Sequence, residues 1–374
     1  MRLLELSYTE FLDEPRYWRL HPVSFQQINL IVGRNASGKS RTLSVIHSLA
    51  KALTGTPTPP PAGNFDVKFS NDEGIWHYRL EVDDEGVQLE IFAKDNEILL
   101  ERGKGGVGTI HATELKQSIS FQSPIGMLAA TSRNDQIQHP FLLPLIEWAN
   151  ETYFYPCHTE LGKGAIMLVR PNSPPLDPKD FNQTVGVLRE GLSKNALSFA
   201  KAVLSDMRTV GYDLEAIWLG APANIIAHGY EVQSICVKER GITGDVDQFM
   251  MSVGMFRALA IVIHLNYGLY IGEAQTVLID DIGEGLDFDR SSNLIRLLVS
   301  KVKNSDMQII MTTNDRYVMN GIDLQYWTVL DRDGPEVRAY NEKNRPEEFE
   351  EFRFTGLNNF DFLARDFLAT PTKK

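Results

Sequence analysis

A chain of 374 residues, 43% of them hydrophobic, can fill one large domain or two ordinary ones around a sizeable core, which excludes a disordered protein. Its 37 basic and 49 acidic residues leave a net charge of −12, which opposes sequence-blind attraction to nucleic acid or an anionic membrane but leaves room for a local basic groove. No window reaches the roughly 18 consecutive apolar residues of a membrane helix, and Glu5 interrupts any signal-like run, so a cytoplasmic, non-membrane protein is expected; two isolated cysteines, Cys157 and Cys236, exclude a cysteine-built zinc site or disulfide framework.

In chain order, apolar bursts at Leu3, Leu4 and Leu6 and again over 18–23 predict antiparallel strands leading into a buried strand, Ile28-Asn29-Leu30-Ile31-Val32. Directly after it, Gly33-Arg34-Asn35-Ala36-Ser37-Gly38-Lys39-Ser40 matches the phosphate-binding pattern G-x-x-x-x-G-K-[ST] in full. Leu43, Ile46, Leu49 and Leu53 then keep helical spacing, so strand, loop and helix come in the order that such a loop requires. Backbone N–H groups of the loop and helix N-terminus would hold phosphates, Lys39 would reach the β/γ oxygens, and the Ser40 hydroxyl would ligate Mg²⁺. The helix must end at the proline-rich run 54–61.

Between 66 and 110 the period becomes two (Val67, Phe69; Trp76, Tyr78, Leu80, Val82; Val87, Leu89, Ile91), broken by acidic turns, which predicts a β-meander beside the nucleotide core. Helical spacing over 141–148 and 185–208, with prolines at 171, 174, 175 and 178 between, predicts a helical subdomain at 139–227 and no long coiled coil. A strand over 230–237, a Gly-Asp loop, and Ser252-Val253-Gly254 opening an amphipathic helix follow; the serine, the bare amides and the helix dipole form an anion site. The apolar strand Thr276-Val277-Leu278-Ile279 runs into Asp280-Asp281, where the first carboxylate suits an Mg²⁺ ligand and the second can orient or deprotonate a water. A helix and a third apolar strand, 307–311, lead to Thr313-Asn314. Alternating strands and helices predict an α/β fold with a mostly parallel sheet and its chemistry at the strand C-terminal ends.

Together these pieces resemble the ATP-binding cassette class of ATPases, in the SMC-like and OLD-like branch often described as AAA-type. The resemblance covers 1–53 and 228–332. It implies a head that holds two ATPs, with Mg²⁺, in a sandwich with a second copy, each phosphate loop facing the other head's signature. By position, Gly33, Arg34, Asn35, Ala36, Ser37, Gly38, Lys39, Ser40 and Arg41 form the phosphate loop. Ser252 and Gly254 match the signature, Asp280 and Asp281 the Walker B pair, Gly285-Leu286-Asp287 the D-loop, and Asn314 the switch position. Lobes at 1–138 and 228–340, the helical subdomain between them and a tail at 341–374 follow.

The chain departs from the family pattern where Ala36 replaces a common glycine, Asp281 the usual glutamate and Asn314 the usual histidine. A shorter base, and an asparagine that donates a hydrogen bond but carries no proton, point to slow hydrolysis. Gln122 is a candidate glutamine-loop residue or an exposed strand-end glutamine, and Tyr17 or Trp18 stacks on adenine or sits in the core. His139, His158 and His228 lack metal-ligand spacing and read as structural. The phenylalanine-rich tail either docks on the head or meets a partner, with docking favoured, and is too short for the nuclease domain of full OLD-type proteins. The expected role is an ATP-driven homodimeric switch for a separate effector, as in anti-phage defence; a RecF-like DNA-repair ATPase is the alternative, and a transporter subunit is the weakest reading.

Overall fold

The computed structural model describes residues 1–169, 176–223, 231–272, 276–365 and 367–368. The expected helix–strand alternation produces one fourteen-stranded sheet. Its parallel half runs Thr152–Pro156, Thr276–Asp280, Gln308–Thr312, Ile28–Gly33 and Trp327–Asp333, side by side. These strands are apolar almost throughout because helices cover both faces, and every residue of Ile28–Gly33 is buried. The pleat sends alternate side chains into two cores. Ile28, Leu30, Val32, Val277, Ile279, Ile309 and Met311 join the core of the helices Thr184–Val210, Val253–Ile271 and Phe288–Lys303. Ile31, Leu278 and Ile310 join the core of the phosphate-loop helix Lys39–Leu53 and of Leu143–Asn150.

The meander extends the same sheet. After Trp18–Ser24 and Arg2–Glu10 come Gly63–Asn71, Gly74–Asp83, Gly86–Lys94, Glu97–Arg102, Val107–Ala112 and Gln117–Gln122, all antiparallel. The period-two set Val67, Phe69, Trp76, Tyr78, Leu80, Val82 faces the core as the alternation requires. The buried Glu90 ties this arm together: it accepts from Tyr78 OH at 3.0 Å and from the N–H groups of Ala129 and Ala130 at 2.6 and 2.9 Å.

Two expectations change. The stretch 139–227 holds the helices Leu143–Asn150 and Thr184–Val210, the latter broken at Asn195, but also delivers Thr152–Pro156 to the edge of the main sheet. Its residues 170–175 and 224–227, with Pro171, Pro174 and Pro175, lie outside the described residues, as do His228 and Tyr230; the strand expected from 230 is Glu231–Glu239. The last strand, Glu336–Tyr340, does not close the sheet edge; it lies between Trp327–Asp333 and Trp18–Ser24 and joins the parallel half to the arm.

The helix Val253–Ile271 is long and apolar enough to cross a membrane, yet 78% of its window is buried inside the protein, so its apolar composition serves the core. Phe349, Phe352 and Phe362 of the tail are buried in that same core, with Phe362 4.6 and 5.1 Å from the other two rings, while Phe354 is exposed. Each such burial contributes about 2 kcal/mol, so the described part of the tail docks on the head.

Candidate functional site

The phosphate loop connects a fully buried strand to a helix whose first residue is Lys39. Its shape depends on two glycines. A Cβ on Gly33 would fall 2.6 Å from Leu330 O and 2.6 Å from Ser37 Oγ, and Gly38 holds φ 103° above Trp18. Ala36 at the crest holds φ 64°, the left-handed conformation that explains why glycine is common there. Arg34, Asn35, Ala36 and Ser40 are exposed, whereas Ser37 and Lys39 are buried, and Ser37 Oγ is buried without a hydrogen-bond partner. Lys39 Nζ donates to Gly33 O at 2.9 Å and Arg34 O at 3.1 Å, so the ammonium is folded against its own loop. Burial lowers its pKa, opposed by the charges of Asp281 and Asp280. Arg332 Nη1 donates to Ala36 O at 3.1 Å and ties the crest to the neighbouring strand. Arg41 pairs with Glu10 and lies over the Trp18 ring at 4.2 Å, turned toward the N-terminal strands. Trp18 is fully buried beneath the loop and is a core residue, so it does not stack on a base; Tyr17 OH donates to Glu336 at 2.9 Å.

Beside this loop the acid strand ends in Asp280, which is buried. Thr312, at the end of the next parallel strand, donates its hydroxyl to Asp280 Oδ1 at 2.6 Å, and Thr312 Oγ1 in turn accepts from Asp281 N at 2.9 Å. Asp281 then turns at φ 54°, and Asn314 Nδ2 donates to its Oδ1 at 3.0 Å. Burial first, and the neighbouring Asp280 second, raise the Asp281 carboxyl above its ordinary value, with Lys39 opposing. A raised carboxyl is a better proton acceptor near neutrality than an ordinary one. Parallel strands therefore place Lys39, Asp280, Asp281 and Asn314 at one edge, as adjacent C-terminal ends must.

Ser252 caps its helix, its hydroxyl accepting from Met255 N at 3.1 Å, and remains exposed. Gly254 touches the D-loop so closely that a Cβ would fall 2.2 Å from Gly285 O. Arg257 Nη1 donates to Glu284 O at 3.0 Å and locks the same contact. Asp287 is exposed and caps Phe288–Lys303, accepting from Arg290 N at 3.0 Å. The geometry thus links signature and D-loop to each other within one chain. Gln122 ends the outermost strand of the arm and is exposed, as a strand-end glutamine.

Sequence reasoning missed His158. It follows Thr152–Pro156, whose Pro156 pairs with Asp280, and Cys157 N donates to Asp280 O at 2.9 Å. His158 Nδ1 therefore sits 3.7 Å from Asp280 Oδ2, which corrects its reading as a purely structural histidine. No local spacing signals this, because the neighbourhood arises from strand pairing.

A phosphate loop with an orphaned buried hydroxyl, glycines that leave room for a close ligand, and an acid-tipped strand beside it fit a nucleoside triphosphate with a divalent cation. Fold and site are those of a P-loop ATPase head, with a fold resembling that of SMC heads. Residues 28–320 match the family model described as "AAA domain, putative AbiEii toxin, Type IV TA system", and the chain belongs to that family. No curated protein matches the sequence. Among solved structures, an SMC head bound to the C-winged helix domain of ScpA aligns with TM-score 0.53 and 13% identity, covering 91% of this chain and 98% of that one. An SMC head with an extended coiled coil, bound to the C-terminal domain of ScpA derived from Pyrococcus furiosus, aligns at 0.51 and 13%, covering 94% and 99%. Identities so low establish the fold alone.

Proposed function

We propose that the chain binds ATP with Mg²⁺, hydrolyses it slowly, and closes into a homodimer around the nucleotide, acting as a switch for a separate effector protein in defence against phage or other foreign DNA. One observation carries the reading: a complete phosphate loop faces an acid pair whose second member, Asp281, is held by Asn314 at 3.0 Å. Loop N–H groups and the helix N-terminus bind the phosphates, and Lys39 exchanges its two loop carbonyls for phosphate oxygens. Ser40 and Asp280 would hold the cation, which would supply charge neutralisation at the phosphates. Asp281 accepts the proton of the attacking water, and Asn314 orients that carboxylate and donates to developing charge without moving a proton. The exposed Ser252 offers an anion site to a second head. The family description supports the defence role, and SMC heads that hold ScpA support a protein partner.

The test is capture from lysate in Mg-ATP with the Asp281→Asn protein beside Lys39→Ala. A defined protein retained only by the first supports the switch; nucleic acid surviving moderate salt without a stoichiometric protein contradicts it and favours a repair ATPase.

A further inference from the structure

The loop after the edge strand brings an imidazole to the acid pair. Cys157 N and Thr159 N hold its backbone through Asp280 O and Pro156 O, each at 2.9 Å, and Thr159 O accepts from Arg257 Nε at 2.8 Å. The His158 ring, 58% exposed, reaches over Asp280, its Nδ1 3.7 Å from Oδ2. The candidate ligand atoms of His158, Asp280 and Asp281 all lie within 4.8 Å of one another. Two ligands of an octahedral ion at about 2.1 Å stand about 3 Å apart when adjacent and about 4.2 Å when opposite, so this spacing suits a shared ion after small adjustment. The Thr312 hydroxyl occupies the other oxygen of Asp280 and orients the carboxylate, the usual work of an outer-shell partner.

We propose that His158 is a direct nitrogen ligand of the divalent cation held by Asp280, and that it shifts the site's preference from Mg²⁺ toward first-row transition ions such as Mn²⁺. Mg²⁺ takes oxygen donors, whereas imidazole suits transition ions, so a nitrogen in this position discriminates between them. The inference rests on the ATPase reading and names the cation chemistry of that site.

Full-length protein labelled with ¹⁵N-histidine, loaded with Mn²⁺ and ATPγS, is examined by pulsed EPR; the label separates a protein imidazole from the nitrogens of adenine. A directly bonded ¹⁵N coupling is expected in the wild type and absent from His158→Gln. The variant should also lose about tenfold in Mn²⁺ affinity, with a smaller loss for Mg²⁺. An exposed ring makes the variant's folding safe, and circular dichroism checks it. Bound Mn²⁺ without histidine coupling, or a coupling that survives His158→Gln, overturns the inference. Metal-free nucleotide binding, measured alongside, separates the two failures: if it persists only the His158 assignment falls, and if nucleotide and metal both fail to bind the ATPase reading falls too.

Discussion

Ala36 and Asp281 both hold left-handed backbone, φ 64° and 54°, one at the crest of the phosphate loop and one after the acid strand. For a residue with a Cβ this costs roughly 1–2 kcal/mol, partly offset at Asp281 by the Thr312 and Asn314 hydrogen bonds. Ala36→Gly removes that strain but adds freedom to the unfolded chain, so urea unfolding should show a gain of up to about 1 kcal/mol; a loss would mean that the alanine methyl makes a contact this account lacks. Asp281→Asn keeps the size of the side chain and removes the base. Hydrolysis should fall by about 10²–10⁴-fold while ATP binding stays within a few-fold, and a mutant that still turns over ATP at the wild-type rate would remove Asp281 from the chemistry. Glycine at 36 is absent from the sequence pattern, yet the conformation that favours it is present, so here the motif was a better guide to backbone shape than to residue type.

At the scale of elements, the signature helix and the D-loop meet backbone to backbone. The 2.2 Å approach that a Cβ on Gly254 would make to Gly285 O cannot be accommodated without moving the D-loop. Gly254→Ala should therefore abolish ATP-dependent association while a single head still binds ATP, measured by sedimentation and by fluorescent-nucleotide titration. The same helix carries His264, buried against Tyr155 and 3.3 Å from Thr184 Oγ1. Burial lowers its pKa from 6.5 to about 4, so the unfolded chain takes up a proton that the folded chain refuses between those values. Stability should consequently fall as pH drops from about 6.5 to about 4, by at most about 1.4 kcal/mol per pH unit for this group. His264→Asn should flatten that slope in urea titrations, whatever it does to stability at neutral pH; an unchanged slope would refute the assignment. Strand, loop and helix around Lys39, and the acid strand, were legible because each motif is local and its residues are consecutive. His158 was not, since only the parallel pairing of Thr152–Pro156 with Thr276–Asp280 brings it to the acids. The interior place of Glu336–Tyr340 was hidden for the same reason: alternation reports which face a residue takes, not which strands flank it.

For the whole molecule, one sheet divides two cores, and the motif-bearing strand ends gather where its parallel half stops. The loop face is exposed at residues 34–36 and 40, and the cap Ser252 and Asp287 are exposed as well, so the two surfaces that the proposed ATP sandwich requires are presented to solvent by a rigid support. Phe349, Phe352 and Phe362 of the tail complete one core, while Phe354 is exposed, and in the proposed reading nucleotide is the agent that joins two heads. The measurement that bears most directly on this is the mass in solution of the Asp281→Asn protein with and without Mg-ATP, by light scattering after gel filtration, beside Lys39→Ala. A shift from one copy to two on adding Mg-ATP, absent from Lys39→Ala, is the predicted result. A single copy that has demonstrably bound ATP would contradict the account.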